Sequence, residues 1–364
     1  MIPYENLQKL NSFYRSEIEQ AVNGVLDSGY FILGENTESF ECEFSKYLGV
    51  GHCIGVGNGY DALTLAFSIL DLPPGSEVIV QSNTYIATVL SILKNHLKPV
   101  FLEPNIETYS MEADAIEEKI SAKTKVILVT HLYGKISDMI DISRVAKLNN
   151  LFIIEDCAQS HGSTLNRIQS GTFGDLGCFS FYPTKNLGAL GDAGAVVTNN
   201  ADFAEKIRIF RNYGSSKKNI NEVPGVNSRL DEIQAAILRV KLRHLESYIR
   251  KKNDLAEVYF QLLDSNKFDL PKVEKQKRDT FHIFPIRTKS RDKIKKFLEI
   301  NGIKTEIHYP IPLDKQPALK SLNNREFVIA NKISKTILSL PCSIIHNEAE
   351  IELVCEVMNG FQIE

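Results

Sequence analysis

A lone lysine closes the segment Cys178–Lys185 (CFSFYPTK), where a strand-like run gives way to small and hydroxylated residues; Gly188, Gly191 and Gly194 follow it. An amine at the end of a buried strand is costly to place unless it is paired or neutralised. Condensation with an aldehyde neutralises it, and desolvation makes it a better nucleophile. Taken alone, an exposed loop lysine is the commoner reading. Upstream, Leu151–Gly162 (LFIIEDCAQSHG) ends another apolar run in Glu155 and Asp156. In an open α/β sheet, ligands sit outside the carboxyl ends of the strands, so an acid there can meet a cationic ring nitrogen, and Gln159 a ring hydroxyl. A metal-ligand pair or a helix cap is the competing account of the two acids. The third signal is Ile54–Leu63 (IGVGNGYDAL), a strand, a glycine turn and a helix start. Backbone N–H groups at such a helix start cradle phosphate, although a plain tight turn would look the same. Tyr60 replaces the third glycine of the dinucleotide fingerprint, and no Gly-Lys-Ser/Thr of a P-loop follows.

The three signals fit one ligand. A phosphate at the first turn and Ser180, a ring nitrogen at Asp156 and an aldehyde at Lys185 describe pyridoxal 5′-phosphate.

Positioning such groups calls for a layered fold. Short apolar runs at 53–56, 77–81, 99–103, 125–131, 151–155, 178–181 and 195–198 alternate with helical patterns. Near-continuous apolar runs are what strands covered on both faces require. Phe40, Phe44, Tyr47 and Leu48 make one helical stripe, and Asp202 with Glu205 reads as a helix start. The alternation predicts an α/β domain with a mostly parallel sheet over residues 1–245. A long helical pattern without Pro or Gly runs from Arg229 toward Leu263. Beyond it a strand at 281–287, a helix around 292–300 and a terminal helix pair predict a smaller α+β domain over 246–364.

Bulk properties narrow the partners. A net charge of -3 on 364 residues gives no basic field for nucleic acid or acidic lipid. Six scattered cysteines without a C-x-x-C pair suit neither a disulfide framework nor a zinc site, so no metal is expected. No signal-peptide pattern or membrane-length apolar run is present. A soluble protein of a reducing cytoplasm is expected.

Ordered motifs along nearly the whole chain resemble those of the DegT/StrS-type sugar aminotransferases. They are the pattern over 34–47, GNGYDAL at 57–63, NTYIAT at 83–88, HLYG at 131–134, EDCAQSHG at 155–162, FSFYPTKNLG at 179–188, GDAGA at 191–195, NYGS at 212–215 and NSRLDEIQAA at 227–236. The resemblance implies an aspartate-aminotransferase-type fold, usually a homodimer with shared active sites. It makes Lys185 the lysine that carries pyridoxal phosphate, Asp156 the partner of the ring nitrogen and Gln159 that of the ring hydroxyl. Gly59, Tyr60 and Ser180 would hold the phosphate, joined by Asn227 from the partner subunit, and Tyr85 would stack on the ring. Relatives that dehydrate sugars carry His at the position of Lys185, so its presence implies transamination, with L-glutamate as donor. The segment 305–318 (TEIHYPIPLDKQPA) and Phe281–Arg287 are similar to relatives acting at C3 of dTDP-linked 3-oxo-6-deoxy sugars. A dTDP-3-amino-3,6-dideoxyhexose for lipopolysaccharide O-antigen or another surface glycan is therefore expected, with His308, Tyr309 and His161 as sugar contacts. Amination at C4 is the nearest rival, and a non-catalytic cofactor-binding regulator a more distant one.

Overall fold

The computed structural model describes residues 1–217, 219–322 and 326–362. Seven strands form the central sheet: β1 (His52–Val56), β2 (Glu77–Gln81), β3 (Lys98–Leu102), β4 (Thr124–Thr130), β5 (Phe152–Asp156), β6 (Leu176–Ser180) and β7 (Gly194–Thr198). Their order is β1-β7-β6-β5-β4-β2-β3. Each expected apolar run is one of these strands. Only β7 runs against its neighbours, pairing antiparallel with both β1 and β6. The β5 run extends one residue further than the sequence pattern indicates, so Asp156 is its last ladder residue and pairs with Cys178.

Alternation along the strands loads both faces. Val78, Val80, Val126 and Leu128 pack with Leu65, Val89 and Ile92 of the helices Gly59–Ser68 and Ile86–Lys94. Ile79, Ile127 and Val129 face Ile142 and Val145 of the helix Met139–Leu148. Full burial of each such side chain contributes about 1.5–3 kcal/mol. Phe179 and Phe181, which flank Ser180, are locked by the helix Glu35–Leu48. Phe44 meets Phe179 edge-on at 5.1 Å and Phe40 meets Phe181 edge-on at 5.3 Å. That packing fixes the strand end from which the Lys185 loop departs.

The helix Glu232–Leu262 runs 31 residues and crosses residue 245 without a break. Its first half packs on the sheet layer, and Leu255, Ala256 and Tyr259 join a separate cluster with Phe284, Ile286, Leu338 and Leu340. Those last residues belong to two antiparallel strands, β8 (Phe284–Arg287) and β9 (Ile337–Leu340), flanked by the helices Arg291–Ile300 and Glu348–Gly360. Ile2 pairs with Ile303 and is buried in the same cluster, so the first residues of the chain pack with the last hundred. Among the described residues, no helix is long and apolar enough to cross a membrane.

Candidate active site

The carboxyl ends of β5 and β6 and the start of the helix Gly59–Ser68 converge on a cavity of about 480 Å³. Gly59 permits the closeness: a Cβ there would lie 2.6 Å from Cβ of Ser180. Asn58 caps the helix, accepting the Asp61 N–H at 2.8 Å. The first N–H groups of a helix have no partner within it, so those of Gly59 and Tyr60 remain for an anion at the cavity wall. Ser228 braces the turn, accepting from the Gly57 N–H at 2.9 Å and donating to the Asp61 carboxylate at 2.7 Å.

Asp156 is 4% exposed at the cavity floor. Its Oδ2 accepts from the Thr88 hydroxyl at 2.7 Å and its Oδ1 from the Ala158 N–H at 3.2 Å. Burial pushes its carboxyl above the usual range, while the Thr88 and Ala158 donors and the Lys185 amine pull it back. Lys185 is half-buried and opens on the same cavity. Burial brings its amine down to about 8, against the opposing pull of Asp156. Its loop is held by backbone carbonyls: the Lys185 N–H donates to Tyr182 O at 2.8 Å, and Nζ of the buried Lys241 donates to Gly188 O at 2.6 Å.

Gln159 is engaged at both ends, its Oε1 accepting from the Tyr133 N–H at 2.7 Å and its Nε2 donating to the Tyr309 hydroxyl at 2.9 Å. The amide keeps one donor hydrogen for a ligand. Tyr85, 53% exposed, faces Tyr309 with ring centroids 5.2 Å apart. His308 lines the cavity, its Nδ1 2.9 Å from Ser339 Oγ, and burial lowers its pKa to about 4. Lys185, Asp156, Gln159, Ser180, Gly59, Tyr60, Tyr85, His308 and Tyr309 thus share one cavity.

Two expected residues do not line this chain's own cavity, and for Asn227, expected to act from the partner subunit, that is no departure. His161 is fully buried with its ring 5.5 and 5.6 Å from those of Phe179 and Phe181, and it does not line the cavity. It packs instead against the strand that carries Ser180. Asn227 is exposed and outside its own chain's cavity, in a bridge with Asn212 beside Ser228. Conversely, sequence reasoning missed Thr88, which orients the Asp156 carboxylate, and gave no role to His282, which lines the cavity. Both fall inside quoted motifs, but nothing in their spacing marks them.

The cavity suits pyridoxal phosphate at three points: a helix start tightened by Gly59 against Ser180, a buried carboxylate opposite it, and an amine of lowered basicity. A model of the DegT/DnrJ/EryC1/StrS aminotransferase family matches residues 13–359. The dTDP-3-amino-3,6-dideoxy-alpha-D-galactopyranose transaminase of Aneurinibacillus thermoaerophilus is 46% identical over 361 residues, 99% of each chain. The dTDP-3-amino-3,4,6-trideoxy-alpha-D-glucose transaminase of Streptomyces venezuelae is 39% identical over 343 residues, 93% of this chain and 90% of that one. The X-ray structure of S. venezuelae DesV in complex with ketimine intermediate superposes with a TM-score of 0.96 at 38% identity, over 98% of this chain and 97% of that one. Site and relatives agree: the chain belongs to the DegT/DnrJ/EryC1/StrS aminotransferase family, with the aspartate-aminotransferase-type fold and pyridoxal 5′-phosphate as its cofactor.

Proposed function

We propose that this aminotransferase moves the amino group of L-glutamate to C3 of a dTDP-linked 3-oxo-6-deoxyhexose, giving a dTDP-3-amino-3,6-dideoxyhexose and 2-oxoglutarate. A nucleotide-linked keto sugar is the coarser reading, supported by the names of the relatives. The observation that carries the chemistry is the sharing of one cavity by Lys185, Asp156 and the Gly59 helix start. The choice of C3 rests on the 46% identical relative, together with the segment that carries His308 and Tyr309.

Pyridoxal phosphate, when bound, supplies the aldehyde that exchanges amino groups and a ring that takes up an electron pair. The chain does the rest. Nζ of Lys185 would hold the aldehyde and, as a free amine, would take the α-proton of the donor and deliver a proton to the sugar carbon. An amine with a pKa of about 8 is near the ideal for a base at neutral pH. Asp156, steadied by Thr88, accepts the ring N–H and keeps the ring cationic. The spare Nε2 hydrogen of Gln159 donates to the ring hydroxyl. Gly59 and Tyr60 N–H groups and the Ser180 hydroxyl hold the phosphate, completed by Asn227 of the partner subunit in a homodimer. Tyr85 covers the ring, and His308 and Tyr309 contact the sugar. In this reading residues 1–245 hold the cofactor, 246–364 close over the sugar, and the enzyme works in the cytoplasm for a surface glycan such as O-antigen.

The test uses holoenzyme converted to its amino form with L-glutamate and then offered 3-oxo and 4-oxo dTDP-6-deoxyhexoses separately. Recovery of the visible cofactor band with the 3-oxo sugar alone is expected. Recovery with the 4-oxo sugar alone would discard the C3 assignment and keep the aminotransferase.

A further inference from the structure

Beside the active-site cavity lies a second chamber of about 250 Å³, which shares Thr184, His282 and His308 with it. Lys252, from the middle of the helix Glu232–Leu262, lies on the wall of this chamber and is 2% exposed. Its Nζ donates to Asn186 Oδ1 at 3.3 Å and to the His282 carbonyl at 3.1 Å, both neutral acceptors. Among the described residues, no carboxylate forms an ion pair with it. An ammonium carries three donor hydrogens, so one is left over. Nζ lies 5.8 Å from the centre of the Tyr248 ring and Glu5 favours its charge without forming an ion pair, and a buried cation so weakly paired is expensive to keep. From another element, Nδ1 of His282 is buried and has no hydrogen-bond partner. Unmade bonds of this kind each call for an explanation.

The third Lys252 hydrogen wants an acceptor, preferably a negative one, and Nδ1 of His282 can donate to the same acceptor in the tautomer that protonates it. The walls are not uniformly basic, because Glu5 and Glu306 also line the chamber. Oε1 of Glu5 is already engaged by the Ser343 hydroxyl at 2.9 Å and the Asn6 N–H at 2.8 Å. Such mixed charge disfavours a free anion. It suits one delivered on a short tether from the next cavity, where Lys185 sits one residue before Asn186.

We propose that this chamber receives the side-chain carboxylate of the amino donor, with Lys252 and His282 as its hydrogen-bond donors. The assignment rests on the reading of L-glutamate as donor. It makes the chamber the donor-specificity site, adjoining the sugar site at His308, which lines both.

The experiment uses holoenzyme and two readouts. Calorimetry compares glutarate, a dicarboxylate without an amine, with butyrate, which lacks the second carboxylate. The first half-reaction is followed optically with L-glutamate, L-glutamine and L-norvaline. Wild-type enzyme should bind glutarate about 10- to 100-fold tighter than butyrate and favour L-glutamate by a similar factor. Lys252→Met should erase most of both differences while leaving the KM for the keto sugar within about twofold, since the two acceptors it strands, Asn186 Oδ1 and the His282 carbonyl, are not sugar contacts. The wild-type series decides the matter even if that variant does not fold. Equal binding of glutarate and butyrate, L-norvaline or L-glutamine matching L-glutamate, or an unchanged L-glutamate KM in Lys252→Met overturns the proposal. Failure of all three amino acids to convert wild-type enzyme would instead remove the donor reading on which it stands.

Discussion

Glu155 and Asp156 are neighbours on β5, yet their carboxylates point to opposite faces of the sheet, one sealed among backbone N–H groups and the other open to the active-site cavity. Glu155 accepts from the N–H groups of Gly171, Phe173 and Gly174 at 2.7–2.8 Å and lies 2.9 Å from Nε2 of His131. Nδ1 of His131 accepts the Ser137 N–H at 3.2 Å, so the neutral ring carries its proton on Nε2 and donates to Glu155. His131, Glu155 and Cys157 have ligand atoms close enough to surround an ion. The backbone donors already on Glu155 account for its burial without one. Strand parity separates the two acids: one residue of register exchanges their roles.

That division predicts two different phenotypes. Glu155→Ala strands several buried N–H groups and should cost about 3 kcal/mol or more, read as a lower urea midpoint. Asp156→Asn keeps the shape of the cavity and should leave the midpoint nearly unchanged while slowing turnover by about 100- to 1,000-fold. Loss of activity in proportion to stability in both variants would show that the two carboxylates are not divided in this way.

The strands of the central sheet were legible because most of their residues are buried and several read as near-continuous apolar runs. The long helix was legible because nothing in it stops a helix. The alternation of Glu155 and Asp156 was not, because it depends on a register set by neighbours. Thr88 is 68 positions from the carboxylate it orients, and no local pattern links them. Lys252, beside Lys251, reads as solvated surface, and only the fold buries it. The burial of His161 was hidden for the same reason: a histidine within a functional motif looks available in the sequence, and only the fold closes Phe179 and Phe181 around it.

Gly59 is a steric requirement that can be tested by itself. A methyl group at this position meets Cβ of Ser180 at 2.6 Å, so the helix start and β6 must part. Gly59→Ala should cost about 1–3 kcal/mol. It should also weaken cofactor binding about tenfold or more, because the N–H groups leave the phosphate position. Equilibrium dialysis against pyridoxal phosphate measures the second effect, and unchanged affinity would move the phosphate elsewhere.

Lys185 should titrate where its surroundings place it. With its pKa lowered to about 8, the free amine dominates above that pH and the ammonium below it. The rate at which apoenzyme captures pyridoxal phosphate should therefore rise with pH up to about 8 and level off above. Stopped-flow absorbance gives the profile. Lys185→Ala should remain folded, form no visible cofactor band and show no turnover. A capture rate still climbing toward the ordinary lysine value, near 10.5, would mean that burial does not tune this amine.

Histidines whose pKa burial lowers should make the fold acid-sensitive. Burial lowers His161 to about 3 and His308 to about 4, and holds His282 well below the ordinary value of 6.5. Each is neutral in the native state at pH 7, whereas the unfolded chain takes up a proton on each below about 6.5. The unfolded state then binds more protons, so stability is fully present above that pH and is lost as pH falls toward the native values. Urea midpoints at pH 7.5 and 5.0 should differ in that sense. His161→Phe, which removes one such ring from between Phe179 and Phe181, should narrow the gap. A gap unaffected by His161→Phe would show that this ring does not contribute to it, because a buried neutral imidazole at this position must resist protonation for as long as the fold persists.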